Sequence, residues 1–219
     1  DRLAPGRRSI DPRQRQRVAY GGIVDTGEVT VLSASPELFI EKDGRTIKTR
    51  PMKGTSPRGA TPEADAEARH ILATDVKQRA ENLMIVDLMR NDLSRVAEPG
   101  SVRVERPFAV ESYPTVHQMV STVRASLRPG LGAIDMIRAL FPCGSITGAP
   151  KIRAMELIDR VEHSARGAYC GAIGRIDAGS ANGTGDAAFN VAIRTLRLSP
   201  AESGHGRAVL AVSYTHLTL

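Results

Sequence analysis

Lys53 lies in the segment TRPMKGT (49–55), sixteen residues after Glu37 of SPELF (35–39). A lysine set in a Pro-Met-x-Gly-Thr turn beside a strand is an unusual place for a solubilising charge. Lysine acts as a nucleophile or base once burial or a neighbouring charge destabilises its ammonium. A lysine exposed on a hairpin is the plainer reading of this segment alone. A second constellation lies between Asp75 and Val96. Glu81, Ile85, Leu88 and Asp92 recur at helical spacing and share one face. A carboxylate on an apolar stripe needs a metal, a cation or a substrate if it is buried. Ordinary ion pairs with Arg90 and Arg95 would satisfy it equally. A third lies in GSITGAPKIRAME (144–156). Gly144 and Gly148 free backbone N–H groups, a helix N-terminus follows, and Lys151 and Arg153 add charge. That combination suits a carboxylate or a phosphate. The Walker spacing is absent, and a capped tight turn explains the glycines as well. His117 sits among Val116, Met119 and Val120, where a lone histidine is more often a packing residue. Arg194 follows the apolar run Val191-Ala-Ile and needs an anion if buried. A substrate carboxylate would serve through two parallel hydrogen bonds. Tyr169 is a further polar point. No His/Cys metal cluster, Cys-x-x-Cys or G-x-S-x-G elbow occurs.

These residues need strands and helices to hold them. Alternating segments 18–24, 28–34, 37–42 and 45–50, separated by turns at 25–27 and 43–44, predict an antiparallel meander. Residues 56–61 read as a loop. Helical pattern spans 62–96 with a break near Thr74. Thr74 or Asp75 caps the second helix, Gln78 would complete a capping box on Asp75, and Pro99-Gly100 stops it. SVRVERPFAV and VHQMVSTVRASL return to strand, 134–141 is a short helix, and Pro150 opens a helix to about Glu162. Strands follow at 168–176 and 187–198. Helices and strands are segregated, so the fold class is α+β: antiparallel sheets face to face with helices outside.

The 219 residues suffice for one large or two small domains. With 41% hydrophobic residues, 4% aromatics and no Trp, the core must be aliphatic. No run reaches the ~18 apolar residues of a membrane span, and the basic start lacks the apolar stretch of a secretory signal. Cys143 and Cys170 form no disulfide framework. A cytoplasmic, non-membrane protein is expected. The net charge of +6 and pI of about 9.7 raise nucleic acid as a partner. However, Arg2, Arg7, Arg8, Arg13, Arg15 and Arg17 concentrate the excess in a basic arm or severed linker at 1–17. No basic stripe with interleaved aromatics follows, so nucleic acid is not the expected partner. The chain opens on Asp1, not Met, which suggests a fragment.

Taken in order, SPELF, TRPMKGTSPRG, RAENLMIVDLMRNDLSRVAEPGSV, YPTVHQMVST, LFPCGSITGAPKIRAMELID and AYCGAIG resemble the chorismate-utilising enzymes. These comprise the first components of anthranilate and aminodeoxychorismate synthases, with isochorismate and salicylate synthases. The resemblance spans about residues 18–198, a partial chorismate-binding catalytic domain. A lysine at position 53 in a P-[IM]-K-G-T context, where anthranilate synthases commonly carry Ala, resembles the aminodeoxychorismate branch. It implies conversion of chorismate and ammonia to 4-amino-4-deoxychorismate on the way to 4-aminobenzoate and folate. The ammonia would come from a glutamine amidotransferase subunit or domain. The alternatives are another chorismate enzyme or an inactive chorismate-binding fragment.

The resemblance also assigns roles. Lys53 is the nucleophile, Glu37 a proton shuttle and His117 the active-site histidine. Gly54, Thr55, Thr147, Tyr169 and Arg194 contact substrate, and Glu81 binds Mg²⁺. Several positions depart from the family pattern. Gln78 stands where an acidic residue is usual, and Arg175 where Tyr is frequent. DAGSANGTGDAAF is looser than expected. The family's glycine turn and acidic helix do not follow Arg194, and 199–219 reads as an atypical tail. The fold is thus expected to be incomplete at both ends and the metal site to lack ligands.

Overall fold

The computed structural model describes residues 20–179, 185–199 and 207–211. The basic arm at 1–17 and most of the tail lie outside them. Eleven described strands form two antiparallel sheets. In the first half, β1 (Gly22–Asp25) pairs with β2 (Thr30–Ser33), and β3 (Leu38–Asp43) with β4 (Thr46–Arg50). The hairpin turns stand where Asp-Thr-Gly and Asp-Gly predict them, with Gly27 at φ 82° and Gly44 at φ 55°. The expected single meander is nevertheless split. Ser33-Ala-Ser-Pro carries the chain from one sheet to the other, so β2 and β3 are not partners. Period-two patterning fixes which residues face inward and leaves the choice of neighbouring strand open.

The strand β5 (Met52–Pro57) replaces the expected turn around Lys53 and the start of the expected loop. It pairs with β7 (Val116–Ser126), and the register shifts between Met52 and Thr55. Gly54 supplies the positive φ of 98° that this irregularity uses. β6 (Arg103–Ser112) forms the outer neighbour of β7. The larger sheet runs β5-β7-β4-β3-β9-β8, with β8 (Ala172–Ile176) and β9 (Ala187–Val191) at its far side. The smaller runs β1-β2-β10-β11, with β10 (Thr195–Leu198) and β11 (Ala208–Ala211). The expected strand at 187–198 is therefore two strands in two sheets, broken at 192–194, and 168–171 is turn. The described part of the tail at 207–211 is a partner of β10.

Helix α1 (Pro62–Thr74) starts as its sequence dictates. Thr61 accepts from the Ala64 N–H at 3.2 Å, Pro62 stands in the first turn, and Glu63 and Asp65 complement the dipole. Asp75 ends α1 and caps α2 (Val76–Ser94), accepting from the Gln78 N–H at 2.8 Å. The Gln78 side chain lies beside Gly54 and makes no return bond to the cap. α2 packs on the larger sheet. Ile85, Met89 and Leu93 meet Phe39, Ile47 and Val123 in one aliphatic core. Three further helices follow: α3 (Ala133–Leu140), the single turn α4 (Gly144–Thr147) and α5 (Lys151–Val161). Among the described residues no helix is long and apolar enough to cross a membrane.

Candidate active site

The irregularity in β5, the entry to β3 and the α4 turn converge. The Lys53 ammonium donates to the Ser145 carbonyl at 3.2 Å. Glu37, only 5% exposed, lies at the same point. Burial pushes its carboxyl above the ordinary range. A bond from the Ser145 hydroxyl, the charge of Lys53 and a backbone bond at Met52 oppose that shift without cancelling it. Its Oε1 is buried without a partner. A buried, half-satisfied carboxyl beside an amine is costly as structure alone and useful as a proton donor or acceptor. Lys53 is anchored through its backbone as well, since Asn82 of α2 donates to the Lys53 carbonyl at 3.5 Å. Ser121 of β7 holds Asn82 in turn.

Glu81 precedes Asn82 on α2. It is half-buried and has no hydrogen-bond or ion-pair partner among the described residues. It is free to supply one carboxylate to a cation. Among the described residues no three His, Cys, Asp or Glu side chains converge as a metal site. Asp92, on the same helix, is not a candidate ligand. Its ion pair is with Lys151, Arg95 adds only a weaker charge attraction, and Arg90 bonds Asp87 instead. Burial raises the Asp92 carboxyl, with Lys151 opposing. Lys151 also donates to the Leu140 carbonyl at 2.9 Å. Two of its three donors are thereby engaged, which removes it from the anion site that its sequence context suggested.

Of the expected substrate contacts, Gly54 borders Lys53. A Cβ there would stand 3.1–3.3 Å from Gln78, Leu72 and Met119. Thr55 is exposed and lies opposite Gln118 on β7. The Thr147 hydroxyl donates to the Cys143 and Gly144 carbonyls at 3.2 and 3.4 Å and closes its own turn. The Tyr169 ring packs under Arg166, and burial, with Cys170 beside it, pushes its hydroxyl up to about 12. Arg194 occupies the break between β9 and β10 at φ 49°, and its guanidinium has no partner among the described residues.

His117 is not joined to Lys53 or Glu37 by any hydrogen bond. Its fully buried ring bonds Ser112 through Nδ1 and Asp65 of α1 through Nε2, each at 2.9 Å. A two-pronged bond from Arg58 holds the Asp65 carboxyl well below the usual range. This chain of bonds ends at a separate depression of about 720 Å³, lined by Arg58, Asp65, Arg69, His70 and Ser112. The next residue, Gln118, points to the opposite face of β7, and its Oε1 is buried without a partner.

Sequence reasoning missed Ser145, Asn82 and Cys143. Ser145 lies within the GSIT turn, two residues before Thr147, and its residue type carries no signal of its own. Asn82 adjoins Glu81 but has a neutral side chain that no charge pattern flags. The Cys143 Sγ lies 3.2 Å from the Ser145 hydroxyl. Burial first, and then Glu37, pushes this thiol up to about 12, so it is an inert wall of the site.

The chain is 53% identical over 180 residues to aminodeoxychorismate synthase component 1 of Klebsiella aerogenes, covering 82% of this chain and 39% of that protein. It is 50% identical over 198 residues to the aminodeoxychorismate synthase of Streptomyces griseus, covering 89% and 27%. It thus spans well under half the length of these relatives. The crystal structure of anthranilate synthase component I from Streptococcus pneumoniae superimposes with a TM-score of 0.74 at 34% identity, over 92% of this chain and 44% of that one. The profile of the chorismate binding enzyme family matches residues 11–208, and the chain belongs to that family.

Proposed function

We propose that this chain carries the chorismate-aminating chemistry of an aminodeoxychorismate synthase. The observation that carries the reading is the meeting of the Lys53 amine with the buried Glu37 carboxyl at Ser145. In its neutral form the amine attacks C2 of chorismate. The ring double bonds shift, and the C4 hydroxyl leaves as water with a proton from Glu37. Ammonia then attacks C4, the double bonds shift back, and the C2–N bond to Lys53 breaks. The displaced amine keeps its electron pair, and Glu37 recovers a proton from the entering nitrogen. Two easier displacements replace one hard one. Burial favours the protonated carboxyl that the first step uses. Arg194, with no anion to hold among the described residues, suits a substrate carboxylate, and Gly54 supplies the positive φ that sets the backbone beside Lys53. Mg²⁺ would be held in part by Glu81 and would neutralise a substrate carboxylate. The ammonia would come from a glutamine amidotransferase partner, a reading supported by the relative's designation as component 1.

The test is intact-protein mass after incubation with chorismate and Mg²⁺ without ammonia. The expected species gains chorismate less one water, located on Lys53 by peptide mapping. Added ammonium should discharge it and release 4-amino-4-deoxychorismate. Lys53→Ala should form no adduct. Anthranilate as the product, identified by its fluorescence, would overturn the reading.

A further inference from the structure

We propose that Lys151 and Asp92 form a clasp that positions the α4 turn, and with it Ser145, against Lys53 and Glu37. This rests on the reading of Lys53 and Glu37 as the reacting pair. The side chains of Lys151 and Asp92 are 9% and 5% exposed. A buried ion pair adds little net stability against an apolar pair of similar volume, and its best-attested use is to fix one arrangement among several. The arrangement fixed here is that of a loop. Residues 141–150 leave α3 after Leu140 and enter α5 at Lys151. The Lys151 ammonium donates back to the Leu140 carbonyl and joins the two ends of that loop. Its second bond, to Asp92, pins the closed loop to α2.

Inside the loop, α4 is otherwise held by the packing of Cys143 and Ile146 on the core and by one long bond from Arg166 to the Ile146 carbonyl at 3.5 Å. Thr147 bonds only to its own turn, and α5 buries none of its residues. Gly144 seats the turn on α2, where an added Cβ would stand 2.5 Å from Leu88 and 2.7 Å from Met89. One residue later, Ser145 presents its carbonyl to Lys53 and its hydroxyl to Glu37. Moving the turn by an ångström would break both contacts. Lys151 and Asp92 touch neither reacting group and act through Ser145, as positioning residues.

The deciding variant is the double substitution Asp92→Leu with Lys151→Met, which removes the clasp without leaving a buried charge unpaired. The readout is the rate at which acetic anhydride acylates Lys53 in the full chain, followed by isotope-coded peptide mass spectrometry, alongside thermal melting. With the turn released, Lys53 should react at least about fivefold faster in the folded double variant, and Lys151→Arg should stay within about twofold of the parent. Val86→Ala, a buried change on the same helix, is the control for general loosening and should also stay within about twofold. If the double variant does not fold, Asp92→Asn carries the same comparison. An unchanged Lys53 rate, or an equal rise in Val86→Ala, overturns the clasp. Absence of a chorismate adduct in the parent chain overturns only the reading of the reaction, since acylation needs no chorismate.

Discussion

At the scale of single residues, Glu37 concentrates the conflict between stability and use. Its carboxyl is raised by burial above the ordinary glutamate value of 4.5. Below that value the folded and unfolded chains are both protonated there, and the group adds no pH dependence. As pH rises through the window up to the folded value, the unfolded chain ionises first and gains relative stability. The folded protein is therefore expected to lose stability over that window, and Glu37→Gln should remove the loss. Denaturant unfolding of both proteins at pH 4, 6 and 8 checks this. The variant's advantage should grow with pH while chorismate turnover falls by at least about a hundredfold. A difference that does not change with pH would show that burial does not tax this carboxyl. Glu81 is expected to behave in the opposite manner. Glu81→Gln should leave melting nearly unchanged and weaken Mg²⁺ binding in the presence of chorismate by about tenfold, or ~1.4 kcal/mol, by calorimetric titration. Lys53 alone read equally as an exposed hairpin lysine, and Glu37 joined it only through the ordered motifs that resemble the family. Ser145 was not legible, because its role lies in the direction of a carbonyl and a hydroxyl that only the folded turn sets.

At the scale of elements, the residue spacing that gave helices correctly gave strand partners poorly. The division between α1 and α2 at Thr74-Asp75 was readable because a capping side chain acts on the next three residues. The split of the meander between two sheets was not, because a strand's alternation says nothing of its neighbour. His117 shows the same limit. The sequence placed it on a strand among apolar residues, and the structure confirms that, but the strand's register turns it toward α1. Its two bonds tie the β6–β7 hairpin to the first turn of α1. His117→Gln is accordingly expected to lower Tm by about 2–8 °C through lost bonds to Ser112 and Asp65. Turnover measured well below the new Tm should stay within about threefold of the parent. A hundredfold loss of turnover with unchanged melting would return His117 to the reacting centre.

At the scale of the whole molecule, the site depends on both sheets keeping their relation. Lys53, Glu37 and His117 ride on the larger sheet or the approach to it, while Arg194 stands where the chain leaves for the smaller one. Asn190 of β9 is the bolt between them. Its Nδ2 donates to the Tyr20 carbonyl at 2.6 Å and to the Ser33 hydroxyl of β2 at 3.2 Å. Its Oδ1 accepts from the Ile173 N–H of β8 at 3.3 Å. Thr195 of β10 completes the junction through the same Ser33 hydroxyl at 3.0 Å. Asn190 is 3% exposed, and its removal takes the side-chain partner from the half-buried Tyr20 carbonyl and Ile173 N–H and leaves the buried Ser33 hydroxyl with Thr195 alone. Asn190→Ala is expected to cost about 2–4 kcal/mol, more than a lone buried hydrogen bond, because each orphaned partner adds its own desolvation penalty. Asn190→Asp should recover little, since a carboxylate cannot donate to Tyr20 or Ser33. The two sheets should also lose cooperativity. Hydrogen exchange of β2 and β10 amides should accelerate more than that of β4 and β7 in the Asn190→Ala variant. Equal acceleration in both sheets would mean that the core of α2 and β7, rather than this polar junction, couples them.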